Sequence, residues 1–315
     1  MSSRAYIAGL VLAVAAHSAD AAPIAYAEAL TASAFGNQSA LYSIDLATRA
    51  ATLVGPSVPN NNGLVNGLNP FIMRGLSFDP AGQLYAVAQD LGVLVKINRA
   101  NGAATLVGPL NLSGPGVANA SALDLSMAIT CDGKAWLASG TTGNLWSVNL
   151  STGATTLVGP LGNNPITGMT TRANTVYATG SQSNQKLYTV NTATGAASLV
   201  GAYGGSDGAV PDISPAFDTN GQLWAILANP VPNTVSNNVA TIAANGALSK
   251  IGTVTGAVAQ GVGLNGLAIA PAVCGAPAGP SFIAEAPALS RSALFSLILL
   301  IIGCAAWSLA QRAQR

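Results

Sequence analysis

The sequence predicts an all-β fold, a five-bladed β-propeller closed by its own last strand, with one transmembrane helix at the C-terminus. Three observations predict it: a hairpin motif written five times, a strand motif displaced to the end of the repeats, and a charge-free apolar segment near the C-terminus. The composition agrees, because 50% of the 315 residues are hydrophobic and only 7% are charged, which suits a turn-rich β-protein. A net charge of +1 offers no basic field for nucleic acid.

The N-terminus has the features of a secretory signal peptide. Arg4 precedes an apolar run over residues 5–16, and Ala19 and Ala21 supply small residues for a cleavage site. A charged start, a short apolar core and an A-x-A site predict a signal peptide over residues 1–21. An N-terminal membrane anchor is the alternative, but the run is short for a span. We therefore expect export across the inner membrane.

One hairpin motif recurs along residues 22–273. It first reads LYSIDLATRAATLVGP, from Leu41, and each copy ends in a glycine. These glycines are Gly55, Gly108, Gly159, Gly201 and Gly252. A period on the order of 50 residues with short strands is typical of four-stranded propeller blades. An aromatic residue in the second strand should pack between neighbouring sheets in the later units, at Tyr85, Trp136, Tyr177 and Trp224.

The turns within the repeats agree with short hairpins. Asn begins the turn between the third and fourth strands, and Gly ends it, as in NRANGA and NTATGA. The first copy has Arg49 at that glycine position, so either Arg49 adopts positive φ, at a cost of about 1 kcal/mol, or this turn is built differently. Asp79 and Asp218 are expected to cap the turns between the first and second strands.

The first unit lacks an inner strand, and a match to that strand lies at the other end of the repeats. NGLAIAP, from Asn265, matches RGLSFDP, from Arg74. A ring of blades leaves no open sheet edge if the last strand completes the first blade. The alternative fold is a linear stack of hairpins, and such a stack would not need a displaced last strand. The repeats resemble the short propeller repeats of bacterial surface proteins. That resemblance implies the fold, while function needs separate evidence.

Few residues in the repeats could perform chemistry. The only histidine, His17, lies in the predicted signal peptide, so the mature chain offers no Ser-His-Asp triad and no histidine metal site. We expect no cofactor, no metal and no catalytic residue. Carboxylates leave one alternative, because some five-bladed propellers are glycosidases with acids at the channel mouth. Asp124 and Asp212 enter equivalent inner strands, and Arg74 and Asn265 lie one residue later in theirs, so these four could line one end of the channel.

Two cysteines flank inner strands. Cys131 ends one inner strand and Cys274 follows the last one, whereas Cys304 lies in the apolar C-terminal segment. Export would permit a Cys131–Cys274 disulfide. Two separate thiols are the alternative, because the two residues belong to non-adjacent blades.

The C-terminal region predicts a membrane anchor. A linker rich in Ala, Pro and Gly over residues 274–291 leads into a charge-free helix over residues 292–311, long enough to span a bilayer. The basic tail, residues 312–315, should stay in the cytoplasm. The order of a short Pro-containing motif, one helix and terminal arginines resembles the IPTL-CTERM class of bacterial sorting signals and the related PEP-CTERM signals. The motif consists of Ala286, Pro287, Ala288, Leu289 and Ser290. The resemblance implies a sorting protease, and without cleavage the helix stays as an anchor.

These features predict a non-enzymatic binding or structural module, held at the membrane facing the periplasm or sorted to the cell surface. Its contact surface should be the face built by the loops after the second and fourth strands, since long Asn-rich loops occur there. Such loops suit hydrogen bonding to a carbohydrate or a protein. A channel-mouth hydrolase that uses Asp124 and Asp212 is the alternative. Two carboxyls within about 10 Å of each other in an open funnel would favour it.

Overall fold

A computed structural model describes residues 23–31, 38–57, 72–162, 166–181, 184–204, 212–231, 234–256, 263–270 and 274. They form five separate β-sheets, which confirms the predicted all-β five-bladed propeller. In this part of the chain, no helix has the length and apolar character needed to cross a membrane. The predicted signal peptide, the sorting motif and the C-terminal helix lie outside the described residues.

The strands follow the repeat units. The first sheet contains β1 (Ile24–Thr31), β2 (Gln38–Asp45) and β3 (Ala50–Pro56). The second contains β4 (Met73–Phe78), β5 (Leu84–Ala88), β6 (Val93–Ile97) and β7 (Ala104–Pro109). The third contains β8 (Leu125–Ile129), β9 (Ala135–Ser139), β10 (Asn144–Val148) and β11 (Thr155–Pro160). The fourth contains β12 (Ile166–Arg172), β13 (Thr175–Gly180), β14 (Lys186–Val190) and β15 (Ala197–Ala202).

The fifth sheet contains β16 (Asp212–Phe217), β17 (Leu223–Val231), β18 (Thr234–Ile242) and β19 (Leu248–Thr253). Two later strands, β20 (Thr255–Gly256) and β21 (Leu264–Ile269), join the first sheet instead. Short 3₁₀ turns occupy Gln89–Leu91 and Ala120–Ala122.

The inner strands surround a central axis. Strand β21 pairs antiparallel with β1, with Ala25 opposite Ile269 and Glu28 opposite Asn265. Strand β21, which carries the NGLAIAP motif, is therefore the neighbour of β1 in the first sheet. Inner strands of neighbouring sheets contact one another in the order β21, β4, β8, β12, β16 and back to β21.

The core lies between the sheets. Residues on the two faces of the middle strands contribute to two different clusters: Tyr42 of β2 packs with Ile226 of the fifth sheet, and Leu41 packs with Met73 of the second. Strands β5, β8 and β9 are buried at every residue. A repeat unit cannot cover both of its faces alone, so burial of this kind requires neighbours on each side.

A glycine-to-turn joint connects neighbouring sheets at their outer strands. Gly55, near the end of β3, lies against the β6–β7 turn at Gly102, so closely that a Cβ on Gly55 would overlap the carbonyl oxygen of Asn101. The same joint recurs in the pairs Gly108–Gly153, Gly159–Gly195 and Gly201–Gly246. The glycine that ends each repeat is therefore needed for the close approach of two backbones.

The fifth joint replaces the turn glycine by Arg49. Gly252 lies beside the Arg49 side chain, and Arg49 adopts φ 63°, the costlier of the two geometries considered for this turn. The Asp45 carboxylate accepts two backbone N–H bonds of the turn at 2.9 Å each. The Thr255 amide donates to the Arg49 carbonyl at 2.9 Å, and β20 pairs parallel with β3. The sequence did not predict β20, which adds a contact between the first and fifth sheets.

Two turns are capped as predicted. Oδ1 of Asp79 accepts the Gln83 amide at 2.8 Å. Oδ1 of Asp218 accepts the amides of Asn220 and Gln222 at 2.9 and 2.8 Å, and its Oδ2 accepts the indole N–H of Trp224 at 2.8 Å. These aspartates are structural, because their oxygens satisfy local donors.

Candidate functional site

Three of the four predicted mouth residues meet at one end of the channel. Arg74 lies in β4, Asp124 directly precedes β8, and Asp212 begins β16. Nη1 of Arg74 lies 3.1 Å from Oδ1 of Asp124 and 3.0 Å from Oδ2 of Asp212. One guanidinium nitrogen therefore joins carboxylates from the third and fifth sheets to the second.

Local backbone geometry aims these side chains. The pairing of β4 with β5 shifts register between Arg74 and Ser77, and Gly75 inside that bulge adopts φ 61°. A bulge redirects the side chains around it. Asp124 has φ 48°, an uncommon conformation for a residue other than glycine, and its carbonyl accepts the Gly140 amide at 3.0 Å.

The cluster is partly exposed and incompletely satisfied. The Arg74 and Asp212 side chains are each 20% exposed and that of Asp124 is 34% exposed. Burial raises the pKa of both carboxyls, and the Arg74 guanidinium opposes that rise. Nε of Arg74 and Oδ1 of Asp212 are buried without a hydrogen-bond partner. With both acids ionised, the cluster has one more negative than positive charge. Both the cation and an anion keep an atom that makes no hydrogen bond.

Asn265 does not join this cluster. It lies in β21, opposite Glu28 of β1, and its amide nitrogen lies 3.5 Å from the Gly263 carbonyl. The structure shows no bond between Asn265 and the other three residues. The sequence match placed Asn265 one residue from the aspartates along equivalent strands, and strand position alone does not fix which way a side chain points.

The channel beyond the cluster is nearly filled. Small residues at equivalent positions of the inner strands line its upper part, namely Gly75, Ser126, Gly168, Ser214 and Gly266. The cavity volume is about 10 Å³ there and about 30 Å³ in the lower part of the channel. Such a volume holds about one to three water molecules. A larger ligand could therefore bind at the mouth but could not enter the channel.

The other end of the channel carries a disulfide. Cys131, which follows β8, is bonded to Cys274, which follows β21, with their Cα atoms 5.3 Å apart. These two residues are therefore not separate thiols. Cys304 lies outside the described residues. The Cys131 amide donates to the Ala173 carbonyl at 3.1 Å. The chain after Cys274 therefore departs from the end opposite Arg74.

One acid that sequence reasoning did not single out is fully buried. Glu28 of β1 is 0% exposed, and it accepts hydrogen bonds from Ser57 Oγ at 2.7 Å and Ser39 Oγ at 3.0 Å. Burial raises its pKa to about 8, although the two serine hydroxyls act in the opposite direction. The available signal was one acid within the alternating apolar strand IAYAEAL.

No metal site is evident in the part of the chain that the structure describes. Groups of three or more His, Cys, Asp or Glu side chains that could hold an ion are absent there. The mouth cluster supplies only two carboxylates, and a guanidinium already lies between them.

Comparisons with known proteins show no family for this chain. No family model matches the chain, and no curated protein matches its sequence. A chain of a nidogen/laminin complex matches with 13% identity and a TM-score of 0.49, over 80% of this chain and all of that one. TolB from Acinetobacter baumannii matches with 19% identity and a TM-score of 0.42, over 80% of this chain and 55% of TolB.

A third match is to virginiamycin B lyase from Staphylococcus aureus. It has 11% identity and a TM-score of 0.40, over 67% of this chain and 65% of the lyase. This chain thus spans about half of TolB and about two thirds of the lyase. At these identities and TM-scores the matches indicate no function for this chain, and its propeller architecture rests on its own five sheets.

Proposed function

We propose that this protein is an exported β-propeller that binds a polar ligand at the channel mouth without chemical turnover. The supporting observation is the Arg74–Asp124–Asp212 cluster, which is partly exposed above a filled channel and keeps an unused donor and an unused acceptor. Buried groups of this kind are costly unless something satisfies them. A ligand with hydroxyl or amine groups would bond to the exposed parts of these three side chains, which are 20% to 34% exposed.

The ligand is proposed to be a carbohydrate or a protein segment. Asn265 and the loops after the second and fourth strands would form the rim of the site. Much of that rim, including residues 58–71 and 205–211, lies outside the described residues. The described loop over residues 110–119 is rich in Gly, Asn and Ser, residue types that hydrogen-bond to ligands without a net charge.

A carboxylate hydrolase is the second candidate. Oδ1 of Asp124 and Oδ2 of Asp212 both contact Nη1 of Arg74. The distance between these two oxygens is therefore at most the sum of the two contact distances. That upper bound is compatible with the carboxyl separation of about 5–5.5 Å in retaining glycosidases and is shorter than the separation of about 6.5–9.5 Å in inverting ones. However, Arg74 lies between the two acids, where a glycosidase needs room for the substrate or a water molecule. This observation favours binding over hydrolysis.

Glycan-array and pull-down screens with the detergent-purified full-length chain test the mouth. We expect a ligand whose affinity falls at least tenfold in Asp212→Asn and in Arg74→Met, because each variant removes one half of the cluster. Lys134→Gln is the matched control, since Lys134 forms the exposed ion pair with Asp132 at the opposite end. Retained affinity in both mouth variants, with thermal unfolding showing that they fold, would exclude the mouth. Turnover of a bound glycan that Asp212→Asn abolishes would favour the hydrolase.

We further propose that the C-terminal helix over residues 292–311 holds the protein at the inner membrane, propeller outward, at least until a sorting protease acts near Ala286–Ser290. The support is the charge-free span with Arg312 and Arg315 behind it. Cell fractionation with a tag on each side of the domain is the measurement. A released propeller without its C-terminal tag indicates sorting, and both tags in the membrane fraction indicate a permanent anchor. Freely soluble full-length protein in the periplasm would contradict both.

A further inference from the structure

A second recess lies between the first and second sheets, at the end of the propeller opposite the mouth. Its volume is about 810 Å³, far more than the channel holds and within the range of ligand-binding clefts, about 300–1,000 Å³. We call it the interblade groove. It is lined by Tyr26, Gly82, Gln83, Leu84, Lys96, Ile97, Asn98, Arg99, Ala100 and Thr105. The lining includes two cations and no acid.

The Arg99 guanidinium packs over an aromatic ring and keeps its N–H donors available for a ligand. Its guanidinium carbon lies 5.3 Å from the centroid of the Phe78 ring, and within the described part of the chain this guanidinium has no hydrogen bond and no ion pair. A cation over a ring face is attracted to the ring but uses none of its N–H groups. The planar guanidinium is therefore positioned for a bidentate contact with a carboxylate or another oxyanion.

Lys96 adds a second positive charge. Its ammonium lies 5.7 Å from the Tyr85 ring centroid, and it has no carboxylate partner among the described residues. Asp90 is the acid nearest to Lys96 in sequence, but it does not line the groove, and its Oδ2 accepts the Ile72 amide. Asp79 does not line the groove either, and its Oδ1 accepts the Gln83 amide. Because no acid lies in the lining itself, the two cations give the groove a local excess of positive charge.

The remaining walls combine a flat aromatic surface with oriented amides. Tyr26 packs edge-on against Phe78, with ring centroids 5.9 Å apart, and Leu84 and Ile97 form a buried apolar floor. The Gln83 side-chain amide donates to the carbonyls of Leu84 and Ile97 at 2.9 and 3.1 Å. Those two bonds fix the Gln83 amide, and its oxygen has no partner among the residues that the structure describes.

We propose that the interblade groove is a binding site for an anionic saccharide whose sugar rings carry carboxylate groups. A bare anion would need only the cations, whereas the volume, the Tyr26 surface and the amides suit a sugar ring with an apolar face and hydroxyl groups. Arg99 binds a carboxylate, and Lys96 favours a second negative charge on the next unit. The site is separate from the mouth and is independent of the function proposed for it.

Isothermal titration of the full-length chain with a uronic-acid tetrasaccharide tests this site, with a neutral tetrasaccharide of the same length as the reference ligand. We expect saturable binding of the uronate, at least tenfold tighter than that of the neutral sugar and weakened by added salt. Arg99→Gln should reduce the affinity at least tenfold, and the further change Lys96→Gln should reduce it again.

Lys186→Gln and Lys250→Gln are the controls, because both lysines are exposed and lie outside the groove. Equal binding of the neutral sugar would overturn the role of charge. Unchanged affinity in Arg99→Gln would overturn the location. A poly-glutamate peptide that binds as tightly as the uronate would overturn the saccharide class, and absence of saturable binding at millimolar ligand would overturn the site altogether.

Discussion

Removal of β21 should abolish the monomeric fold. A chain that ends at Gly263 is expected to be unfolded or oligomeric, because β1 would lose its inner partner over the whole stretch between Ala25 and Ala29. The first sheet would then present an open edge to the channel, and such an edge pairs readily with another chain. Loss of the monomeric fold would support our proposal that the last strand closes the ring.

The side chains and backbone of β21 explain the size of the effect. Leu264, Leu267 and Ile269 are nearly fully buried in the cluster between the first and fifth sheets. Each large side chain of this kind contributes about 2–5 kcal/mol relative to alanine, whereas a whole domain has only about 5–15 kcal/mol of stability. The Gly266 amide also donates to Ser214 Oγ at 2.9 Å, which ties β21 to the fifth sheet.

A chain that ends at Cys274 is the control, because it retains β21 and the disulfide while it loses residues 275–315. A second control carries Cys274→Ser, which separates the loss of the bond from the loss of the strand. Size-exclusion chromatography and thermal unfolding report the outcome. If the chain ending at Gly263 stays monomeric with the melting temperature of the Cys274→Ser control, closure by β21 is wrong.

The fold was predictable because the same hairpin motif occurs five times in the sequence. Hairpin turns, glycine positions and the displaced NGLAIAP motif each point to one ring. Strand β20 was not predictable, because two residues that pair with β3 leave no pattern of their own. The close approach of Gly108 to the neighbouring turn was hidden for another reason. A glycine required by contact between sheets looks like one required by a turn.

The candidate site was predictable only in part. Equivalent positions along inner strands brought Arg74, Asp124 and Asp212 together, because inner strands enter the channel from the same end. Asn265 has no bond to these three residues, and its amide nitrogen lies 3.5 Å from the Gly263 carbonyl, so its place at the mouth stays a prediction. The interblade groove was invisible to sequence analysis, because Tyr26 and Arg99 belong to different repeats and meet only when the sheets pack.

The two ends of the propeller differ in a way that bears on its attachment. The mouth cluster has an excess of acid, and the chain leaves toward its C-terminal segment from the opposite end, where Cys274 is bonded to Cys131. The interblade groove therefore lies at the same end as Cys274, where the predicted linker begins, and the mouth cluster lies at the other end.

The buried acid Glu28 should make stability fall as the pH rises. The unfolded chain loses this proton near the ordinary glutamate pKa of 4.5, whereas the folded protein keeps it until about pH 8, because burial raises the pKa. The stabilisation is therefore complete below the unfolded pKa, is lost progressively between the two values, and reaches a constant level above the folded one. A difference of this size corresponds to a loss on the order of 4–5 kcal/mol in the free energy of unfolding.

Urea unfolding of the wild type and of Glu28→Gln at pH 5, 7 and 9 isolates this group. The amide keeps an acceptor for Ser39 and Ser57 and carries no proton to lose, so the variant should be the more stable protein at pH 9 by several kcal/mol. At pH 5 the advantage should shrink to about 1 kcal/mol, because the wild-type carboxyl is then neutral in the fold and the unfolded chain is only half a pH unit above its glutamate pKa of 4.5. Asp90→Asn is the control, since Asp90 is exposed and its amide could still accept the Ile72 N–H. The control's difference from wild type should stay constant over the same range. A Glu28→Gln difference that is equally constant would mean that Glu28 ionises in the fold without penalty, and that the two serine hydroxyls outweigh its burial.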